Sequence, residues 1–227
     1  MTAINEKRMD ENTIKSMQQG AKVIVPINDY DLSKDKRLLI PFVYGEEVGF
    51  FNQALDVVVS PKYITYHGEC YGKDDYVMTV KRIPHYLGHR HIYFYGVIDY
   101  QGKEVLPDEY YRVWLPYKSS NLFTVESDKC KYAVMNTEGK EVIPFGKYTY
   151  IDGASYDYFR VKVGGTPDCL EGNGAKWGII NSKGEEVVPL KYDFIQPFYQ
   201  KDKASIYLRL YVPGGYHCDY YNLQTNK

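Results

Sequence analysis

The chain has 227 residues, 44% of them hydrophobic, and a formal net charge of −1 with acids and bases interspersed. That length suffices for a core without covalent staples, in one large β domain or two small ones. The charge balance argues against a nucleic-acid footprint or a polybasic membrane surface. Twenty-five tyrosines, nine phenylalanines and two tryptophans lean the composition toward strands, where aromatic side chains fit a pleated, half-buried surface.

Residues 1–20 form a polar leader without an apolar signal-like stretch, expected to be flexible. KVIVP (22–26) reads as the second strand of a hairpin whose first strand is missing, and Leu38-Leu39-Ile40 as a third. VGFFNQALDVVVSPKY (48–63) then sets a pattern of apolar strand, polar turn, β-branched strand, proline and tyrosine. It returns as YGVIDYQGKEVLPDEYY (95–111), as YAVMNTEGKEVIPFGKY (132–148) and as WGIINSKGEEVVPLKY (177–192). CDYYN (218–222) repeats only its opening.

The starts at Val48, Tyr95, Tyr132, Trp177 and Cys218 are 47, 37, 45 and 41 residues apart, so the copies differ by loop insertions. In each turn Gly102, Gly139 and Gly184 supply a residue that tolerates positive φ. Pro107, Pro144 and Pro189, with Pro61 in the first copy, are expected to end the second strand, having no N–H to donate. Tyr63, Tyr111, Tyr148 and Tyr192 follow as caps on the core. A third strand closes each copy at residues 76–80, 122–125, 159–163 and 206–210. Arg160 with Lys162, and Arg209, alternate with apolar residues there and predict one wet face.

A unit of three short strands cannot bury its apolar face alone, so stacking on neighbours must supply the core. The expected fold is all-β: four full three-stranded units near 48–94, 95–131, 132–176 and 177–217, with a composite of 218–227 and 21–47. A unit split between the two ends suits a closed propeller-like or barrel-like ring, which leaves no exposed edge. An open β-solenoid is the alternative.

These copies resemble the bacterial WG-repeat family, through Trp177, Gly178, Asn181, Gly184, Glu186, Val187, Val188, Pro189 and Tyr192 above all. The second copy keeps Gly96, Asp99, Gly102, Glu104, Val105, Pro107 and Tyr111 with Tyr95 at the Trp position. The third has Ala133 for Gly and Asn136 for Asp, and the first has Val48 for Trp and lacks the turn glycine. The resemblance spans residues 22–227 and implies a repeat array used in binding or scaffolding, with no shared catalytic motif to carry over.

Candidates for chemistry are few. His85, His89 and His91 in HYLGHRHIYFYG sit close enough for a three-histidine metal site of a hydrolase, but no carboxylate is placed to orient the rings. GGTPDCLEGNG (164–174) lacks the Lys-Ser/Thr ending of a phosphate loop, and its Cys169 has no histidine near it. Asp74-Asp75 and Asp108-Glu109 read as solvated loop acids. No metal, cofactor or catalytic residue is expected. The tyrosines outside the repeat positions are of more interest, being large, rigid and partly polar. Trp114, Tyr117, Tyr156, Tyr158 and Tyr199 are the expected binding residues.

The function expected is therefore a non-enzymatic module that binds a protein through tyrosine-rich loops. A lectin-like module for a carbohydrate or small molecule is the alternative. No apolar run approaches the ~18 residues of a membrane span. Cys70, Cys130, Cys169 and Cys218 are too scattered for a disulfide framework. A cytoplasmic setting is expected, or a periplasmic or secreted one if a signal peptide has been removed.

Overall fold

The structure, a computed structural model, describes residues 20, 22–23, 39–52, 54, 56–67, 76–84, 91–115, 121–155, 158–166, 174–199, 206–212 and 218–223. Every element delimited among the described residues is a β-strand, and the described residues include no helix long and apolar enough to cross a membrane. The chain divides into two compact units, Met1–Asp108 and Glu109–Lys227.

The first unit holds two four-stranded meanders. One is β1 (Lys22–Val23), β2 (Ile40–Tyr44), β3 (Glu47–Phe51) and β4 (Val57–Tyr63). The other is β5 (Thr65–His67), β6 (Tyr76–Pro84), β7 (His91–Asp99) and β8 (Glu104–Tyr110), whose last two residues fall in the second unit. The second unit continues with β9 (Arg112–Trp114), β10 (Leu122–Glu126), β11 (Tyr132–Asn136) and β12 (Glu141–Ile143). Next come β13 (Tyr150–Ser155), β14 (Tyr158–Val163), β15 (Lys176–Asn181) and β16 (Glu186–Tyr192). A three-stranded sheet of β17 (Phe194–Tyr199), β18 (Ile206–Tyr211) and β19 (Cys218–Asn222) ends the chain.

All-β architecture is as expected, while three features correct the sequence reading. Four of the five sheets have four strands where the units suggested three, and the last has three among the described residues. The extra strand follows the repeat tyrosine: in each case the residue just after it donates its N–H to the neighbouring strand. These bonds run from Ile64 to Val80 O, Tyr111 to Glu126 O, Thr149 to Lys162 O and Asp193 to Tyr211 O, at 2.8–3.0 Å. The equivalence also moves the second copy's tyrosine from Tyr111, which is exposed, to Tyr110, which is buried.

The second correction concerns proline. Pro61, Pro107 and Pro189 lie inside β4, β8 and β16, and only Pro144 lies past the end of its strand. The register shows why. Trp177 pairs with Tyr192 and Ile179 with Val188, so two steps on β15 face four on β16. The excess forms a bulge in which a residue without an N–H is tolerated. The bulged backbone folds over Gly178, where a Cβ would meet the Val188 carbonyl oxygen at 2.7 Å. Gly49 stands in the same relation to Val59 O.

The third correction is to the ring. Cys218–Asn222 pairs with Ile206–Tyr211 and Lys22–Val23 pairs with Ile40–Tyr44. No pairing among the described residues closes a sheet. Strands bond to their sequence neighbours, which need only short loop closures. The proposed leader, and most of KVIVP, lie outside the described residues.

Each turn between the two repeat strands is built by one side chain. Asn181 Oδ1 accepts from the N–H groups of Lys183 and Glu185 at 2.9 and 3.0 Å, while Gly184 takes φ +79°. Asn136 does the same for Glu138 and Lys140, and Asp99 for Gln101 and Lys103. The Asp/Asn of the repeat is therefore a turn former.

Between sheets the repeat positions make the core. In the second unit Tyr132, Val134, Ile143, Tyr148, Ile151, Phe159, Val161 and Ile180 form one cluster. Trp177, Ile179, Val188, Tyr192, Ile195, Leu210 and Leu223 form the next. The first unit repeats the plan with Val48, Phe50, Val59, Tyr63, Val77 and Ile98. No sheet buries these faces by itself.

Candidate functional site: a charged aromatic seam

The register aligns the copies residue by residue. The Trp position pairs with Val43 in the first sheet (Val48), Val80 in the second (Tyr95), Glu126 in the third (Tyr132), Lys162 in the fourth (Trp177) and Tyr211 in the fifth (Cys218). Valines thus give way to a buried acid and then a buried base in the second unit. Glu126 is 3% and Lys162 0% exposed.

A row of rings surrounds these charges. Trp114 stacks on Tyr132 at 5.9 Å, and Tyr132 lies 5.0 Å from Tyr150. Tyr150 meets Trp177 at 5.7 Å, Trp177 meets Phe194 at 5.5 Å, and Phe194 meets Tyr211 at 5.9 Å. Strands β9, β13 and β17 bring Trp114, Tyr150 and Phe194 to the seam, and β11 and β15 bring Tyr132 and Trp177.

The cations are held on ring faces. The Arg160 guanidinium lies 4.7 Å from the Trp177 ring and 5.3 Å from Phe194. It pairs through two nitrogens with the Asp152 carboxylate, Nε to Oδ1 at 2.9 Å, and Nη1 donates to Ile195 O at 2.6 Å. Lys162 Nζ lies 5.6 Å from both Tyr150 and Trp177 and donates to Thr166 O at 2.6 Å. The wet face expected from Arg160 and Lys162 is thus an inter-sheet face. Ring quadrupoles, carbonyl oxygens and one carboxylate stand in for water there.

Glu126 is less completely satisfied. Its Oε2 has no hydrogen-bond partner among the described residues, and Arg112 Nη1 stands 3.7 Å away. Burial first, and then the Glu126 carboxylate, push the Tyr132 phenol well above its ordinary range. Tyr150 is raised by burial and by Asp152, against the lowering pull of Arg160. A polar junction of another kind lies in the first unit. There the buried Thr79 hydroxyl donates to Asp108 Oδ1 at 2.7 Å, and burial raises the Tyr63 phenol beside it. Asp108 is therefore a structural acceptor and not a solvated loop acid.

Of the expected binding residues, Trp114 and Tyr158 have described side chains. Trp114 is 37% exposed at one end of the seam. Tyr158 is half-buried at the far end of β14, opposite Asn181, so the structure does not bring the two together. Tyr117 and Tyr156 lie outside the described residues, and Tyr199 closes β17 with only its backbone described. His85, His89, Cys169 and Asp74-Asp75 also lie outside them, and His91 opens β7 without a described side chain. Sequence reasoning missed Arg112, Glu126, Asp152 and the packing of Arg160 and Lys162. Aligning the third strands copy by copy, Val43 to Val80 to Glu126 to Lys162, is the signal that finds them.

The fold and this seam define a protein built of tandem antiparallel β-repeats. The family model of the WG containing repeat matches two repeats of the chain, at residues 132–166 and 177–207. Comparison with curated proteins finds no match. Among solved structures, Kluyveromyces lactis Hsv2 is similar over 82% of this chain and 61% of its own, at 9% identity and a TM-score of 0.36. Hsv2 with its complete loop 6CD is similar over 81% and 59%, at 8% identity and a TM-score of 0.38. The chain spans less than two thirds of the length of either.

Proposed function

We propose that the chain is a non-enzymatic binding module that takes a protein partner at the open end of the seam. The observation that carries this reading is the stretch Tyr111 to Trp114. Tyr111 is 41% and Trp114 37% exposed, with the exposed Arg112 between them and Val113 buried as their anchor. Aromatic rings beside arginine, held by packing from behind, are the composition of an interface hot spot. Trp114 is ordered by its stack on the buried Tyr132, so little side-chain freedom is lost on binding.

The test is capture of a partner from the source cells by the full chain, compared with Trp114→Ala and Arg112→Ala. Each variant is expected to lose the partner by about tenfold or more, the scale of a hot-spot residue; the thermal midpoint should change little in Trp114→Ala and fall in Arg112→Ala, which takes the neighbouring cation from the buried Glu126. Equal capture by all three proteins overturns the proposal. So does saturable binding of a neutral oligosaccharide that vanishes in Trp114→Ala, which would make the module a lectin.

A further inference from the structure

One hairpin differs in length from its counterparts in every other sheet. In the second sheet, β6 and β7 run on past Val80↔Tyr95, the Trp position, through Lys81↔Phe94, Arg82↔Tyr93, Ile83↔Ile92 and Pro84↔His91. Elsewhere the pairing ends at that position or one pair beyond it. The last pairs are Tyr44↔Glu47, Glu126↔Tyr132, Val163↔Lys176 and Tyr211↔Cys218. The four added pairs make a two-stranded arm that belongs to the first unit.

The arm leaves its sheet with both edges bare. β5 follows β6 only as far as Val80, which pairs with Thr65. β8 lies beside Gly96 at Leu106 and Asp108 and ends at Tyr110. It therefore stops opposite Tyr95, as Tyr192 at the end of β16 stops opposite Trp177. Among the described residues, 81–84 and 91–94 pair only with each other. Two strands alone are marginal in water, and a third stabilises such a ribbon. The two edges are not equivalent. On β6 the exposed Lys81 and Arg82 discourage strand addition. On β7 stand three strand formers, Ile92 and Phe94 half-buried and Tyr93 45% exposed.

Charge selects the kind of strand that fits. Residues 81–94 hold three Lys/Arg, three histidines and no acid, in a chain of net charge −1. Lys81 has no ion-pair partner among the described residues. Arg82 has only Glu46, at 3.7 Å, whose side chain is 92% exposed. So loose and wet a pair is worth little, and a better-placed acid can replace it.

We infer that the free edge of β7 takes an extended acidic segment of a protein partner as a third strand. The partner's backbone pairs along residues 91–94, and its acidic side chains answer Lys81 and Arg82. This surface lies in the first unit, and the inference stands if the Trp114 surface is inert.

The probe is the peptide acetyl-Glu-Val-Glu-Val-Glu-Val-amide, long enough for an edge of about 13 Å, titrated into the isotope-labelled full chain. One control is its fully N-methylated analogue, which keeps the charges and cannot donate to a ladder. The other is acetyl-Lys-Val-Lys-Val-Lys-Val-amide. Saturable shifts are expected at the amides of residues 91–94, with a Kd of about 1 mM. Both controls should be weaker by about tenfold or more, one for lost backbone bonds and one for like charge. Lys81→Glu with Arg82→Glu should reverse the preference between the acidic and the basic peptide. Trp114→Ala should change none of this. The inference is overturned if either control binds as well as the acidic peptide, or if no shift develops at residues 91–94 by about 10 mM. Binding to phosphatidylserine vesicles through Lys81 and Arg82, without a response to the peptide, would make the arm a membrane contact and overturns it too.

Discussion

Trp177→Ala tests whether the Trp of the repeat is a structural element or a contact residue. The ring is wholly buried between the fourth and fifth sheets, among Ile179, Val188, Tyr192, Ile195 and Leu210. Truncating a buried large aromatic costs about 3–5 kcal/mol in transfer and cavity terms together. The ring also faces the Arg160 guanidinium at 4.7 Å and Lys162 Nζ at 5.6 Å. Losing those contacts places the cost toward the upper end, about 4–5 kcal/mol. In a chain of this length that corresponds to a fall of about 8–20 °C in the thermal midpoint. With only two tryptophans in the protein, Trp114 remains as the fluorescence reporter in the variant, and a urea titration reads the loss directly. Trp177→Phe should recover part of the stability, since it keeps an apolar ring in the cavity. A change below about 1 kcal/mol, the range of surface substitutions, refutes the packing argument, and loss of partner capture at full stability would make Trp177 a contact residue.

Two further outcomes follow from the geometry. Gly178→Ala puts a Cβ 2.7 Å from Val188 O and 3.0 Å from Leu190 Cγ, so the bulge of β16 must shift. A cost of about 1–3 kcal/mol is expected for such overpacking; a neutral result in chemical denaturation would show that the bulge adjusts freely. Stability should also fall in alkali. Burial pushes the Tyr110 phenol up to about 12, and Tyr63, Tyr132 and Tyr150 are raised as well. A folded-state pKa above the unfolded value of about 10 means the folded chain holds the proton more tightly. Its contribution is therefore complete below pH ~10 and is lost as pH rises through the folded values. Urea midpoints from pH 8 to 12, with tyrosinate absorbance in parallel, check this. Ionisation of all tyrosines near pH 10 without loss of stability would contradict it.

The repeat was legible because its residues act locally. The turn needs Asn181 to accept two backbone N–H groups and Gly184 to take positive φ, and both requirements hold within five residues of sequence. Alternation of Phe159, Val161 and Val163 with Arg160 and Lys162 gave the strand correctly and its environment wrongly. Alternation reports that two faces differ; it does not report what covers the second one. The strands that open the second and third sheets were hidden because β5 and β9 are three residues long, too short for periodicity to register. Among the candidate residues, Trp114 was named as a loop aromatic, but its stack on Tyr132 depends on the pairing of β9, β10 and β11.

Sequence alone thus determined an all-β repeat array, two stretches of which match the WG containing repeat, with its turns and most of the repeat positions that form its core, because hairpin chemistry is set by near neighbours. Tertiary structure decided the rest. It set the offset between sequence units and sheets, buried Glu126 and Lys162 at one repeated position, and gathered Trp114, Tyr132, Tyr150 and Trp177 into one seam. These depend on which strand lies beside which and which sheet packs on which. Residues as far apart as Trp114 and Trp177 acquire a shared chemistry only when that packing brings them together.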